Sequence, residues 1–589
     1  MKQSIIYLGA LGIFLTTACK KEAAAPISFE VNTRLKSDPQ NLNPYTTSSG
    51  DAHNVYRFIF QTLAEYDPYS LELQPVLITA LPKAEAVDTG LYAGEVAYQF
   101  EIRPEARWSD GQPVTAMDYL FSVKLCLLPT LAESGFSSYV NTIKALSLAD
   151  DSPLKFKVTA DKEYILSLPS LTNIPILPKH VYDPTGILDS FSFDQIRHHE
   201  ALQLDLINNP SLLSFTDQLK QAIYSRDKLI GSGAYTVSLW ETNQTIVLEK
   251  INRWWGDAWS GQSSLLQANP QRIILKVIPD EAAALTALKE GNLDILPTAN
   301  SLNFDQMSKD TAFNLKYNFL SAPQLTYLYI AINNQHPALK SLKVRQALAR
   351  LMDVDEMQKS LMLGYGQRVI GPVNPLKSYY NRSLTPIPYQ LDSAKALLAD
   401  DGWADANNNG ILDKTIDGRL QELNLRIMVT QAELGRKTAI LFKENAAQAG
   451  VNLEILAMAN FQEIRTKHLN TGDYELTTVA NSISVPVDYD PYQQWHTQSY
   501  QTKAGNFAGF GHAESDRLIE ELRVEVDPQK RHDLYLNFQA LVYAQQPVIF
   551  LVSPMQLVMV SKKLEAKASA LAPGYHENSY RLATAAALN

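Results

Sequence analysis

Residues 108–118 read Trp108-Ser109-Asp110-Gly111-Gln112-Pro113-Val114-Thr115-Ala116-Met117-Asp118, and they join a predicted strand to a predicted helix. Just upstream, Tyr98, Phe100 and Ile102 alternate with polar residues, the period-2 pattern of a strand with one face in solvent. Asp110-Gly111 favours a turn. Thr115, followed three positions later by Asp118, is close to a capping box, so we expect a helix to begin near Ala116 and to continue through Leu125.

Two other segments predict β-α-β units. In the first, the β-branched run 272–278 is followed by a helix that Asp280 caps and Gly291 ends, and a second strand begins at Leu293. In the other, residues 423–429 alternate as a strand, a helix runs to Ala449, Gly450 ends it, and residues 451–455 form the next strand. Both units predict parallel pairs with right-handed crossovers, and therefore an α/β protein.

Length and composition are those of a large protein with more than one lobe. The chain has 589 residues, which exceeds the usual size of a single hydrophobic core, and 46% of its residues are hydrophobic. The formal net charge is -10, and lysine and arginine are scattered along the chain. A nucleic-acid partner would require a clustered basic face, so we expect none.

Several short patterns resemble one known family in the same order along the chain. Residues 108–118 resemble a signature of the family 5 extracellular solute-binding proteins, which include the oligopeptide, dipeptide and nickel receptors of bacterial ABC importers. The other resembling segments are 41–44, 60–63, 178–180, 231–235, 291–294, 331–333, 344–348, 394–403, 450–453, 490–491, 506–510 and 527–553. Because they occur in order from about residue 30 to about residue 553, chance agreement does not explain them.

The resemblance implies a two-lobed periplasmic-binding-protein fold of type II, similar to cluster C. This is an α/β fold with mixed parallel sheets in each lobe and a central ligand cleft. Residues 28–298 and 549–589 are expected to form lobe I, with an inserted subdomain at about 76–230. Residues 299–548 are expected to form lobe II.

The first 18 residues are predicted to be a signal peptide. Lys2 gives a positive start, and residues 5–15 form an apolar run that is shorter than the roughly 20 residues needed to span a bilayer. Small residues then lead to Cys19, where bacterial lipoproteins carry their acylated cysteine. We expect Cys19 to be lipidated, residues 19–27 to be a tether, and the protein to be anchored to a bacterial membrane in the periplasm or at the cell surface. The alternative is ordinary cleavage nearby, which leaves a soluble protein.

The resemblance also indicates where a ligand would bind, although the expected residues differ. Peptide-binding relatives place a Trp, and three residues later an Asp that neutralises the ligand's α-ammonium, before the Asp-Pro pair. In this chain Asn481 and Ser484 stand at those positions, and Ser484 cannot replace a carboxylate. Either a nearby Asp supplies the charge or the ligand has no free amino terminus. Ser49 is a further predicted ligand-binding residue.

Asp488 and Asp490 have two interpretations. In the first they belong to a turn before Pro491, where Asp side chains accept backbone N–H bonds. In the second, at least one of them is the anion for a cationic end of the ligand. Trp495 also has two interpretations: it lines the same cleft and stacks on the ligand, or it packs in the core.

Residues 405–413 resemble the first nine positions of an EF-hand loop. Asp405, Asn407 and Asn409 supply oxygens at positions 1, 3 and 5, and Gly410 stands at position 6. Position 12, which needs a bidentate Glu, is Ile416, and Asp417 comes one residue late. A simple surface turn is the other interpretation of the loop from Asp405 to Asp417.

No pattern for catalysis is present in the sequence. The 10 histidines lack a compact metal-ligand spacing, and neither a nucleophile elbow nor a phosphate loop occurs. Cys126 lies in an apolar helical segment, which favours a buried structural thiol. We therefore predict a monomeric receptor with no enzymatic activity, cofactor or metal site, which delivers a peptide or small-molecule ligand to an ABC transporter permease. The alternatives are a non-peptide nutrient, such as a nickel chelate or an oligosaccharide, and a surface lipoprotein that binds a macromolecule.

Overall fold

The computed structural model describes residues 29–161, 166–202, 204–298, 300–481, 488–525 and 527–584. The predicted signal peptide, Cys19 and the tether lie outside these residues, and so does Ser484. Within the described ranges, no helix has both the length and the apolar character needed to cross a membrane.

The first sheet, here called the lobe I sheet, combines the start of the chain with residues more than 200 positions later. Its strands, in spatial order, are Glu30–Leu35, Arg272–Val277, Thr245–Lys250 and Tyr235–Glu241. The first pair is parallel and the other two pairs are antiparallel. Alternate side chains such as Ile246, Leu248, Ile273 and Leu275 are buried, so the sheet has the period-2 burial of a sheet covered on one face.

A second, antiparallel sheet lies within the predicted inserted subdomain. Its strands, in spatial order, are Ala84–Ala86, Val96–Glu101, Lys155–Ala160 and Ile143–Leu148. The predicted strand before residue 108 and the predicted helix after it are both confirmed, as Val96–Glu101 and Ala116–Leu127. The Asp118 carboxylate accepts a hydrogen bond from the Thr115 backbone N–H at 2.8 Å, which satisfies one of the N–H groups at the helix start.

A third sheet, here called the connecting sheet, is built around a long C-terminal strand. Val552–Ser561 lies between Ile295–Thr298 and Tyr317–Pro323, and Gly366–Arg368 pairs with its first residues. All of these pairs are antiparallel. The predicted limits between the lobes are residues 298 and 549. The first is the last residue of Ile295–Thr298, and the second lies in the short strand Val548–Phe550. These limits stay a prediction.

The fourth sheet, here called the lobe II sheet, contains the predicted β-α-β unit of residues 423–455. Its strands, in spatial order, are Asn452–Ala457, Asn424–Val429, Leu476–Asn481, Tyr327–Ile332 and Val548–Phe550. Asn424–Val429 and Asn452–Ala457 are parallel and are joined by the helix Glu433–Ala447, which confirms that unit.

The other predicted parallel pair is wrong. Arg272–Val277 and Ile295–Thr298 are joined by the helix Glu281–Lys289 as expected, but they belong to different sheets. The strand Glu30–Leu35 occupies the position beside Arg272–Val277, and the later strand pairs with Val552–Ser561 instead. A neighbour that comes from about 240 positions earlier in the chain cannot be read from the local pattern.

The helices cover the sheets and bury three main groups of side chains. One apolar core is formed by buried residues between positions 35 and 275. Two others pack on the lobe II sheet. In lobe I the helices are Gly50–Tyr56, Ala116–Leu127, Ser137–Val140, Ser167–Thr172, Lys179–Tyr182, Phe193–Arg197 and Pro210–Lys220, and beside the connecting sheet they are Glu281–Lys289, Ser301–Lys309 and Thr311–Lys316. In lobe II they are Leu342–Leu351, Val354–Glu356, Leu391–Asp400, Glu433–Ala447, Phe461–Ile464, Tyr492–Trp495, Thr497–Gln501, Ala513–Val524 and Pro528–Gln545.

Candidate functional site

A cavity of about 470 Å³ lies where the lobe II sheet ends. Its wall combines residues 479–481 of the strand Leu476–Asn481 with residues 488–490 of the loop that follows. Phe461 and Phe507, whose rings meet edge to face at 5.7 Å, form an apolar part of the wall, and Leu166 reaches it from the inserted subdomain. The volume is in the range of pockets that hold small ligands.

Among the described residues, no strand covers one edge of Leu476–Asn481 beyond Thr477, and this edge lies at the cavity. On one side it pairs with Tyr327–Ile332 along its whole length. On the other side it pairs with Asn424–Val429 only at Leu476 and Thr477. Alternate backbone groups of a strand point to opposite edges, so part of the N–H and C=O groups from Thr478 to Asn481 face away from the sheet. This edge can accept another extended chain.

Asn481 takes part in a hydrogen-bond network that fixes Gln494. The Gln494 Oε1 atom accepts from the Tyr489 hydroxyl at 2.8 Å, from the Tyr327 hydroxyl at 3.1 Å and from Asn481 Nδ2 at 3.5 Å. Burial raises the pKa of Tyr327 to about 12. Both tyrosines therefore act as neutral donors at ordinary pH.

Trp495 lies in the core and not in the cavity wall. Its side chain is only 1% exposed, and it packs between Phe510 and Phe550. Its indole N–H donates to the Tyr489 hydroxyl. The structure thus gives Trp495 the packing position rather than the ligand-stacking one, because the ring has no surface left for a ligand.

Asp490 is held in the turn before the helix Tyr492–Trp495. Its Oδ1 atom accepts from the Tyr492 backbone N–H at 3.0 Å, and its Oδ2 atom lies 3.3 Å from Arg523 Nε. Its side chain is 14% exposed. These contacts agree with the turn interpretation for this residue.

Asp488 is more open to the cavity than Asp490. Its side chain is 35% exposed, and its Oδ2 atom lies 3.7 Å from Arg531 Nη2. Burial raises the pKa of Tyr66, which belongs to the N-terminal lobe, and the charge of Asp488 raises it further. Burial lowers the pKa of Lys377, and the same charge opposes that change. The negative charge of Asp488 therefore acts on side chains in both predicted lobes, Tyr66 in one and Lys377 in the other.

Arg465 and Gln494 also line the cavity, and neither was predicted from the sequence. Arg465 lies four positions after Phe461, so both side chains fall on one face of a short helical segment. Among the described residues, no carboxylate lies within 4 Å of its guanidinium. The sequence signal that could have identified Arg465 is its position four residues after Phe461, in the segment that precedes the strand Leu476–Asn481.

Ser49 lies in a different cavity from the other candidates. A polar cavity of about 650 Å³ is lined by residues 38–41 and 45–49 together with Thr130 and Lys220. Ser49 forms part of its wall and also caps the helix Gly50–Tyr56, since its hydroxyl accepts from the Ala52 backbone N–H at 3.3 Å. The structure therefore brings together Asn481, Asp488 and Asp490, but not Ser49.

The loop 405–413 is a turn stabilised by its own side chains. The Asp405 carboxylate accepts from the backbone N–H groups of Asn409 and Gly410, and Asn409 Oδ1 accepts from that of Ile411. In the part of the chain that the structure describes, no group of three or more histidine, cysteine, aspartate or glutamate side chains is placed to hold a metal ion.

Comparison with known proteins identifies the family to which the chain belongs. Residues 93–503 match the sequence profile described as bacterial extracellular solute-binding proteins, family 5, middle region. The chain belongs to this family. The match covers more than half of the sequence, and it includes the strand Leu476–Asn481 and most of the cavity wall.

Individual family 5 proteins resemble the chain over nearly its whole length. The oligopeptide-binding protein AppA of Bacillus subtilis is 25% identical over 520 residues, which is 86% of each protein. The structure of that AppA in complex with a nonapeptide superposes with a TM-score of 0.64 at 21% identity, over 94% of this chain and 99% of AppA. NikZ of Campylobacter jejuni in complex with Ni(L-His) gives a TM-score of 0.64 at 19% identity, over 94% and 99% of the two chains. The structural likenesses show a common fold.

Proposed function

We propose that this family 5 protein captures peptides or peptide-like solutes between two closing lobes and delivers them to the membrane permease of an ABC importer. The open strand edge at Thr478–Asn481 is the observation that carries this function. An extended peptide can pair with such an edge through its own backbone. Recognition of this kind uses groups that every peptide has, so it allows low selectivity for side chains.

The relatives support a peptide ligand over a metal chelate. AppA is named for oligopeptides and was solved with a nonapeptide, whereas NikZ was solved with a nickel–histidine complex. Within the described part of the cavity wall, none of the lining residues is a histidine. A direct metal ligand set is therefore less favoured, and a non-peptide nutrient remains the second candidate.

Delivery to a permease requires that the ligand favours the closed form. A ligand that bound the open and closed forms equally would not shift their populations. Contacts that reach the ligand from both lobes supply this difference in affinity. Leu166 and the charge of Asp488 near Tyr66 are the described features that link the two sides of the cleft.

Native mass spectrometry of the gently purified protein tests the proposed function. We expect a set of retained masses that differ by amino-acid residues. A single retained non-peptide mass would count against peptides as the main ligand. As a second measurement, peptides methylated on backbone nitrogens should bind more weakly than unmodified peptides of the same sequence, because each methyl group removes a donor to the strand edge.

Attachment to a membrane through Cys19 is part of the proposal. Several acyl chains on one residue would hold the protein stably, since a single chain binds only marginally. Labelled palmitate should be incorporated into the wild type but not into Cys19→Ser. Cys126→Ala is the matched control, because Cys126 is buried and should have no effect on labelling.

A further inference from the structure

The cavity wall contains a cation that has no acidic partner among the described residues, and an amide that can donate a hydrogen bond to a ligand. Arg465 lines the cavity and is exposed, and in the described ranges no acidic side chain pairs with it. By contrast, the two carboxylates of the same wall have cationic neighbours in their own lobe, Arg531 for Asp488 and Arg523 for Asp490. Arg465 is therefore the charged side chain of this wall that has no partner of opposite charge among the described residues.

The neighbours of Gln494 show which atom of its side-chain amide accepts hydrogen bonds, and therefore which atom donates them. An indole N–H is a donor only, so the Tyr489 hydroxyl accepts from Trp495 and gives its own hydrogen to Gln494. The Tyr327 hydroxyl donates to the same Oε1 atom. The Oε1 atom thus has its acceptor sites filled from the protein side. Tyr329 also has a side-chain hydrogen bond with Gln494. The Nε2 group has two hydrogens, so it can donate one to Tyr329 and the other to a ligand.

We propose that Arg465 and Gln494 make this cavity the binding site for a carboxylate of the ligand. Guanidinium groups bind carboxylates through charge-assisted, often bidentate hydrogen bonds, and an amide N–H is a suitable second donor. The inference rests on the proposed function, and it adds the chemical group that the cavity selects. Phe461, one turn before Arg465, would contact the apolar part of the ligand beside that carboxylate.

The carboxylate has two possible sources, the C-terminus of a peptide and an acidic side chain. Three mixed libraries of peptides two to nine residues long distinguish them. The first has only neutral residues and a free C-terminus, the second has the same sequences as C-terminal amides, and the third is amidated but carries one Asp or Glu. Retention of each library on the purified protein is measured by mass spectrometry for the wild type, Arg465→Gln and Lys467→Gln.

Lys467→Gln is the matched control for Arg465→Gln. It removes one positive charge two positions away, from an exposed lysine that pairs with Glu463 at 2.8 Å. Arg465→Gln should lower retention of the first library, the third, or both by about 10-fold or more, and should change that of the second by less than about 2-fold. The library that responds identifies the source of the carboxylate. Gln494→Glu should lower retention of the same library, because it replaces the Nε2 donor with an anion.

Three outcomes would overturn the inference. Arg465→Gln could reduce all three libraries equally, it could reduce none of them, or Lys467→Gln could have the same effect. In each case the wild type still retains peptides, so the proposed function stands. If the wild type retains no library, the proposed function itself fails, and the two failures are therefore distinguishable.

Discussion

At the scale of single residues, several of the segments that resemble the family are in direct contact with one another. Gly231 and Gly233 lie against the backbone of Phe58 and Ile59, and Gly233 N–H donates to Ile59 O at 2.8 Å. Gly231 O accepts from Ser109 N–H at 2.8 Å. His180 Nε2 lies 2.7 Å from the Asp110 carboxylate. Segments that are separate in sequence thus meet in one place.

The close approach predicts a strong effect of a single methyl group. A Cβ at residue 231 would stand 1.9 Å from Ile59 O, so Gly231→Ala forces backbone to move. We expect a loss on the order of 3 kcal/mol in the free energy of unfolding, measured in urea. Gly261→Ala is the control, because a Cβ there meets nothing within 4 Å. Equal stability of the two variants would contradict this account.

The two aspartates of the cavity should respond differently to loss of charge. Asp488 is the more exposed, so Asp488→Asn should weaken binding of peptides with a free amino terminus but not of their N-acetylated forms. Asp490 is held by Arg523 and by a backbone N–H, so Asp490→Asn should mainly lower stability. Calorimetry with the peptides identified by mass spectrometry measures the first effect, and urea unfolding the second. Unchanged affinity in both variants would remove the ammonium-binding hypothesis.

The sequence could indicate part of this site but not all of it. The position of Asn481 and of the two aspartates follows from their place beside the Asp-Pro pair, and they do line the cavity. The orientation of Gln494 depends on Tyr327, which is more than 150 positions earlier in the chain, and Trp495 packs on Phe550, which is 55 positions later. Such contacts exist only after the lobe II sheet has formed, so a local pattern does not contain them.

At the scale of elements, Asp294 joins the lobe I sheet to the connecting sheet. Its Oδ2 atom accepts from the backbone N–H and the side-chain Nδ2 of Asn32, at 2.8 and 3.0 Å. Its Oδ1 atom pairs with Lys563 Nζ at 2.5 Å. The side chain is 4% exposed. One carboxylate therefore bridges three segments, of which two belong to the ends of the chain.

Removing that carboxylate should lower stability without touching the cavity. Asp294→Ala leaves the partly buried Asn32 N–H and the charge of Lys563 without their partner, and we expect a loss of about 3 kcal/mol in the free energy of unfolding. Asp217→Asn is the control, since that residue is exposed and should cost less than about 0.5 kcal/mol. Peptide affinity of both variants should equal that of the wild type. A loss of affinity in Asp294→Ala would mean that the bridge also shapes the cleft.

Helices and strands with a clear period were the easiest elements to predict. The helix Pro528–Gln545 shows the usual start signal, an Asp followed by a Pro, and Asp527 accepts from the Lys530 backbone N–H at 2.9 Å. The strand pairing was harder. The order of strands in the lobe I sheet depends on Glu30–Leu35, and that of the connecting sheet on Val552–Ser561. Long-range pairs of this kind leave no mark in the local sequence.

At the scale of the whole molecule, the fold class that the resemblance implied is confirmed, and closure of the lobes is the behaviour to test. Protein stripped of ligand by unfolding and refolding should show a larger radius of gyration by X-ray scattering than the same protein with a retained peptide. The peptide should also raise the free energy of unfolding, by about 2.7 kcal/mol at 100 times its Kd. Free glycine at the same concentration is the control. A peptide that stabilises the protein without changing the scattering curve would contradict closure.

The position of Val552–Ser561 has a consequence for biosynthesis. This strand is the centre of the connecting sheet, yet it is the last long strand to leave the ribosome. Until it emerges, Ile295–Thr298 and Tyr317–Pro323 have no partner between them, and Asp294 lacks Lys563. We therefore expect the connecting sheet to stay incomplete in the nascent chain until Val552–Ser561 has been synthesised.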